Sequence, residues 1–171
     1  KFGACTEDAN GNKIADETTR AEALKRYERY WEQISERFKG YSDHLIFESA
    51  NEEFGNHIND YNLGFNTAVN GVTGNLTVAE CYTLTNKLNQ DFVDIVRKSG
   101  GNNENRHLLL AGYNTDIKNT LDDSYKTLMP MVQANLVYRF TTMIHGTSVV
   151  TMHTAPTLNR IRSIQKKNLI H

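Results

Sequence analysis

The 171-residue chain reads as an α/β protein with a parallel sheet. Two observations carry that reading: a capped amphipathic stripe precedes a short unbroken apolar run, and the same order then repeats. A third agrees with it: a long Gly- and Asn-rich stretch follows the first apolar run, on the side where α/β proteins place their sites.

The elements follow in order. Thr19 and Glu22 have capping-box spacing, and Leu24, Tyr27, Trp31, Ile34 and Phe38 then recur every three or four residues, the stripe of a helix. Gly40 ends it, and the stripe makes Trp31 a core residue rather than a platform for a ligand. Leu45-Ile46-Phe47, flanked by His44 and Glu48, reads as a strand buried on both faces. Residues 53–75 show no periodicity, and loops of that length are usually functional or disordered. Thr77 and Glu80 make a second capping box, with Cys81, Leu84, Leu88, Phe92 and Ile95 as its stripe and Gly100-Gly101 as its end. Leu108 to Ala111 is the second buried run, closed by Gly112. Periodicity leaves open whether the sheet is flat-edged or closed.

Composition excludes some function classes. A formal net charge of −1 argues against a nucleic-acid binder, and no apolar run approaches a membrane span. Cys5 and Cys81 fit neither a zinc site nor a disulfide framework; they could pair or be two free thiols. His145 and His153 are too scattered for a metal site, so neither metal nor cofactor is expected. Asn75-Leu76-Thr77 is a glycosylation sequon. The chain starts at Lys1 with no signal peptide, as a trimmed mature start or a piece of something longer would.

The averages hide a break. Residues 1–128 hold all 20 acidic residues and 14 of the 19 Lys and Arg, a net charge of −6. Residues 129–171 hold no acid, and all four Met and both Pro. A basic tail is one reading of that stretch.

Chemistry concentrates just past the first strand, at Glu48-Ser49-Ala50-Asn51-Glu52-Glu53. A carboxylate at the C-terminal end of a parallel strand is where such folds place catalysis, although loop glutamates are mostly just solvated. The run His44 to Glu48 followed by Asn51-Glu52 resembles the fourth-strand signature of family 5 glycoside hydrolases, HLIFE, two variable residues, then NEP. Trp31 to Phe38 is similar to that family's preceding helix, and Asn89 to Arg97 to its next one. Gly100 to Asn103, Arg106 and Leu108 to Tyr113 are similar to its fifth strand and the loop before it.

The resemblance implies part of a (β/α)8 TIM barrel, roughly the third helix to the fifth strand, across residues 1–128. A complete barrel needs about 250 residues. It implies a retaining endo-β-1,4-glucanase of cellulase type, secreted and monomeric, acting on a β-1,4-glucan polysaccharide with no nucleic-acid or membrane partner. Mannanase, xyloglucanase and licheninase activities are the alternatives within the family, and a non-catalytic carbohydrate-binding module is the alternative outside it. Glu52 matches the family's acid/base and Asn51 the Asn that hydrogen-bonds the sugar, while Glu48 matches a structural position. Tyr113, at a strand end, is a candidate for lining the cleft. Glu53 departs from the family, which has Pro there. The family's nucleophile lies in a Gly-Glu-Phe/Trp-Gly context that these 171 residues lack, so the chain alone is expected to be inactive.

Residues 129–171 fit the family poorly in their own frame. If each codon's third base is joined to the next codon's first two, Tyr138 to Val149 permits SIHYYDPWNFC, which resembles the family's sixth-strand motif. The stretch is therefore expected to be an out-of-frame translation, with a genuine basic tail as the rival.

Overall fold

The computed structural model describes residues 5–7, 13–15, 17–51, 76–122, 125, 135–144 and 147–154. Strands β1 (Cys5–Glu7) and β2 (Lys13–Ala15) form an antiparallel pair. Helix α1 (Glu17–Phe38), β3 (Phe47–Glu48), α2 (Val78–Lys98), a 3-10 turn (Gly101–Glu104), β4 (Leu108–Asp116), α3 (Ile117–Leu121), β5 (Leu136–Ile144) and β6 (Thr147–Thr154) follow. The main sheet has the order β3-β4-β5-β6, with β3, β4 and β5 parallel and β6 antiparallel. Parallel strands joined through helices make this a partial α/β barrel, the class the sequence predicts. β5 lies beyond the charge break at residue 129 and pairs with β4 from Leu108↔Leu136 onward.

One core fills the space between the helices and the sheet. Phe92, Val93 and Val96 from α2 meet Leu108, Leu110 and Ala111 from β4 with no solvent exposure. Trp31 packs here as its stripe predicts, its ring centroid 4.4 Å from Phe92 and 5.7 Å from Phe47. Burying each such side chain is worth roughly 1.5–3 kcal/mol, which is what holds α1 and α2 on the sheet.

Two expectations change. The helix predicted to start at a Thr19 cap starts at Glu17, which puts Thr19 inside the first turn. The Glu22 carboxylate instead accepts from Lys25 Nζ at 3.4 Å along the helix surface. The strand predicted across Leu45-Ile46-Phe47 begins at Phe47, and Ile46 is 50% exposed. The Leu45 carbonyl accepts from the Arg106 guanidinium at 2.5 Å, outside the sheet ladder. The second capping box forms as read, with Thr77 Oγ1 accepting from Glu80 N at 3.2 Å and Glu80 Oε2 accepting from Thr77 N at 2.7 Å.

Below the sheet, at the N-terminal ends of its strands, Arg106 is fully buried with all five N–H groups in use. Nε donates to Asn103 Oδ1 (2.6 Å), Nη1 to Ser42 O (2.8 Å) and Leu45 O, and Nη2 to Phe38 O (3.1 Å) and Tyr41 O (2.8 Å). Its Cζ lies 4.7 Å from the Phe47 ring centroid. Asn103 extends the knot, donating from Nδ2 to Ser35 O and Ser99 Oγ. This end of such folds serves stability, and the other end serves chemistry.

Candidate active site at the exit of β3

The opposite end of β3 is where the sequence placed the chemistry. Main-chain pairing of β3 with β4 covers two residue pairs, Phe47↔Leu108 and Glu48↔Leu109, and closes with Ser49 N donating to Leu109 O at 2.9 Å. Side chains continue the connection. Ala111 N donates to Ser49 Oγ (3.0 Å), Ser49 Oγ donates to Asn89 Oδ1 (2.9 Å), and Asn89 Nδ2 donates to Ala111 O (2.8 Å). Three hydrogen bonds thus close a ring through β3, α2 and β4. Tyr27 on α1 adds a fourth element, its hydroxyl donating to Ser49 O at 3.2 Å. Ser49 is 4% exposed and Asn89 is fully buried, so these bonds sit where each counts for more than in water. Burial holds the Tyr27 phenol well above its usual range, against a smaller lowering by a hydrogen bond with Trp31, so at neutral pH it keeps the proton it donates to Ser49 O.

Asn51, two residues past Ser49, is exposed at the mouth of this exit. The matched acid/base Glu52 lies outside the described residues. So do Glu53, the loop to Asn75 and His145.

In the C-terminal half of β4, Tyr113 is 3% exposed and packs edge-on against Tyr82 at 4.5 Å, with Tyr125 at 6.1 Å. Cys81, a free thiol with no solvent exposure, completes this cluster. Desolvation pushes the Cys81 thiol up to about 11, against smaller lowering by Arg20 and by a hydrogen bond with Tyr113. The Tyr113 phenol rises too, chiefly by burial. The structure thus brings the β3 exit and this aromatic cluster to adjacent strand ends, with the Tyr113 ring turned into packing. Beyond Tyr113, Asn114 (φ 52°) and Thr115 (φ 50°) turn left-handed, and the register with β5 shifts between Ala111 and Asp116. Such irregularities re-aim side chains and recur beside active sites. Asp116 then caps α3 by accepting from Asn119 N at 2.8 Å.

Sequence reasoning missed Ser49 and Asn89. A signal existed: Asn89 is a polar residue on the face of α2 that also carries Thr85, Phe92 and Val96, all fully buried. Among the described residues no group of His, Cys, Asp or Glu could hold a metal ion.

A family profile described as cellulase (glycosyl hydrolase family 5) matches residues 6–142. Endoglucanase A of Paenibacillus barcinonensis is 42% identical over 96 residues, covering 56% of this chain and 20% of the relative. A xyloglucan-specific endo-β-1,4-glucanase of Bacteroides ovatus is 40% identical over 97 residues, 56% of this chain and 16% of the relative. Among solved structures, a glycoside hydrolase 5 lichenase variant from Caldicellulosiruptor sp. F32 in complex with cellotetraose superposes with a TM-score of 0.56 at 29% identity, over 74% of this chain and 32% of that one. The chain therefore spans a fifth or less of these two curated relatives and about a third of the solved barrel.

Proposed function

The chain belongs to glycosyl hydrolase family 5, and we propose that it carries the acid/base half of a retaining endo-β-1,4-glucanase site. Glu52 serves as the acid/base and Asn51 as a hydrogen-bond partner of the sugar. The observation that supports this most is the ring of hydrogen bonds at Ser49, which secures the strand end two residues before Asn51. Retention needs two carboxyl groups about 5 Å apart, one as acid/base and one as nucleophile. An acid/base must begin protonated, which burial and a neighbouring carboxylate favour. The nucleophile's Gly-Glu-Phe/Trp-Gly context is not in these 171 residues, so this chain alone binds glucan without turning it over. The substrate is a β-1,4-linked glucan. The relatives' names also support xyloglucan or lichenan, since they include a xyloglucan-specific enzyme and a lichenase. Tyr113 supports the cleft from behind through its packing on Tyr82. A polymer too large to enter a cell implies secretion, and the active unit is a monomer.

The test is an NMR titration of the chain with cellotetraose, beside a reducing-sugar assay on soluble cellulose. Saturable perturbation of the Asn51 and Glu52 amides with no sugar released supports the reading. Turnover that Glu52→Gln abolishes, or no perturbation at those amides, overturns it.

For residues 129–171 we propose the out-of-frame translation. A DNA read through codons 120–171 and beyond supports it if a base is inserted or deleted near codon 129 and the restored frame carries a Gly-Glu-Phe/Trp-Gly glutamate. An intact frame ending at His171 refutes it.

A further inference from the structure

An amide in an apolar helix face is costly to bury unless it is used, because an unpaired polar group forfeits its hydration. Asn89 is fully buried beside Leu88, Phe92 and Val93, and uses both ends of its amide on the two strands at one point. That point is where the backbone ladder between β3 and β4 stops. Every polar group of Ser49 is likewise engaged: N on Leu109 O, O by the Tyr27 hydroxyl, and Oγ as donor and acceptor at once. Three elements are thus joined to one residue, far more than holding two strands together requires.

We propose that Ser49 and Asn89 are positioning residues for the glucan site, setting the direction in which the chain leaves β3 toward Asn51. The inference rests on the acid/base reading above. With Ser49 free to rotate, the β3 exit would be tied to β4 by one backbone bond, Ser49 N to Leu109 O, and the groups that follow would wander. Misplacement of about 1 Å is enough to cost a site most of its function.

The experiment measures cellotetraose affinity by NMR on the chain, well below its unfolding temperature, for Ser49→Ala, Asn89→Asp, Ser49→Thr and Val93→Ala. Asn89→Asp keeps the acceptor for Ser49 but loses the donor to Ala111 O. Ser49→Thr keeps the hydroxyl. Val93→Ala removes core packing without touching the ring, and so reports what lost stability alone does. The expected result is affinity lowered about fivefold or more by Ser49→Ala and Asn89→Asp, as loss of one well-placed hydrogen bond implies. Ser49→Thr and Val93→Ala should bind as the parent does. If Ser49→Ala fails to fold, Asn89→Asp and Ser49→Thr carry the comparison. Parental affinity in Asn89→Asp or Ser49→Ala overturns the positioning role and leaves the carbohydrate reading standing. Equal weakening by Val93→Ala reduces the ring to a stability element and overturns it as well. A parent chain that does not bind cellotetraose removes the reading and this inference together.

Discussion

Replacing Arg106 by Met deletes five donors from a buried site while leaving all five acceptors in place. The acceptors are not equally exposed to that loss. Phe38 O also accepts from Tyr41 N at 3.0 Å, Tyr41 O from Asn102 Nδ2 at 3.0 Å, and Ser42 O from Leu45 N at 3.1 Å. Leu45 O and Asn103 Oδ1 have Arg106 as their donor and no second one among the described hydrogen bonds. Two orphaned acceptors at roughly 1–3 kcal/mol each give a loss of about 2–6 kcal/mol. An opposing effect exists: burial lowers the Arg106 pKa, so the ion is held at a desolvation cost that Met would not pay. Apolar replacement of buried ions is neutral or stabilising when all partners are replaced together, which is not the case here. Arg106→Lys should fall between Met and the parent, since its three donors can serve both orphans but not the planar fork. The assay is urea unfolding followed by Trp31, the single tryptophan, whose core contacts with Phe92 and Phe47 report loss of packing. An unfolding free energy for Arg106→Met within about 1 kcal/mol of the parent would refute the reasoning, because net hydrogen-bond worth of that size needs no orphaned acceptor.

Two further outcomes follow from local geometry. A Cβ on Gly101 (φ +61°) would lie 2.9 Å from the Lys39 carbonyl oxygen, whereas one on Gly100 (φ +71°) meets nothing nearer than Glu104 Oε1 at 3.7 Å. Both alanine variants carry the left-handed penalty of roughly 1–2 kcal/mol, and Gly101→Ala should cost clearly more in the same unfolding assay. Equal losses would show that the loop at Lys39 yields freely. For pH, the folded Cys81 thiol ionises near 11 against an ordinary 9.0, so its contribution is complete below pH 9 and is lost as pH rises toward 11. That is of order 2 kcal/mol, and Tyr27, Tyr82 and Tyr113, all raised by burial, act in the same direction at higher pH. Alkaline unfolding that begins above pH 9, with Cys81 resistant to thiol reagents at pH 8 in mass mapping, is the expected pattern. Rapid labelling of Cys81 in folded protein would contradict it.

Much of the fold was legible because its signals are local. The α2 capping box needs only Thr77 and Glu80 at the right spacing, and the apolar stripe of α2 needs only a helical period, so both were readable in one dimension. The Glu52 match and its Asn51 neighbour were readable for a different reason: the family keeps chemistry in a short contiguous motif. The start of α1 was misread because several residues near Glu17 could begin a helix, and spacing alone does not choose between them.

By itself, then, the sequence determined the α/β class, the order of helices and buried runs, and the family resemblance on which the proposal for Glu52 stands. Tertiary structure decided what depends on residues far apart in the chain. Arg106 gathers carbonyls 61–68 residues away, among them Leu45 O, which lies outside the sheet ladder although the sequence placed Leu45 in the strand. Ser49 meets Asn89 and Ala111 across 40 and 62 residues, pairings that leave no periodic trace in the sequence. Tyr113 turned inward because its ring found Tyr82 and Tyr125, a choice set by packing and invisible to strand position. Hydrogen bonds and close packing act over a few ångströms in space, so only the folded chain could specify them.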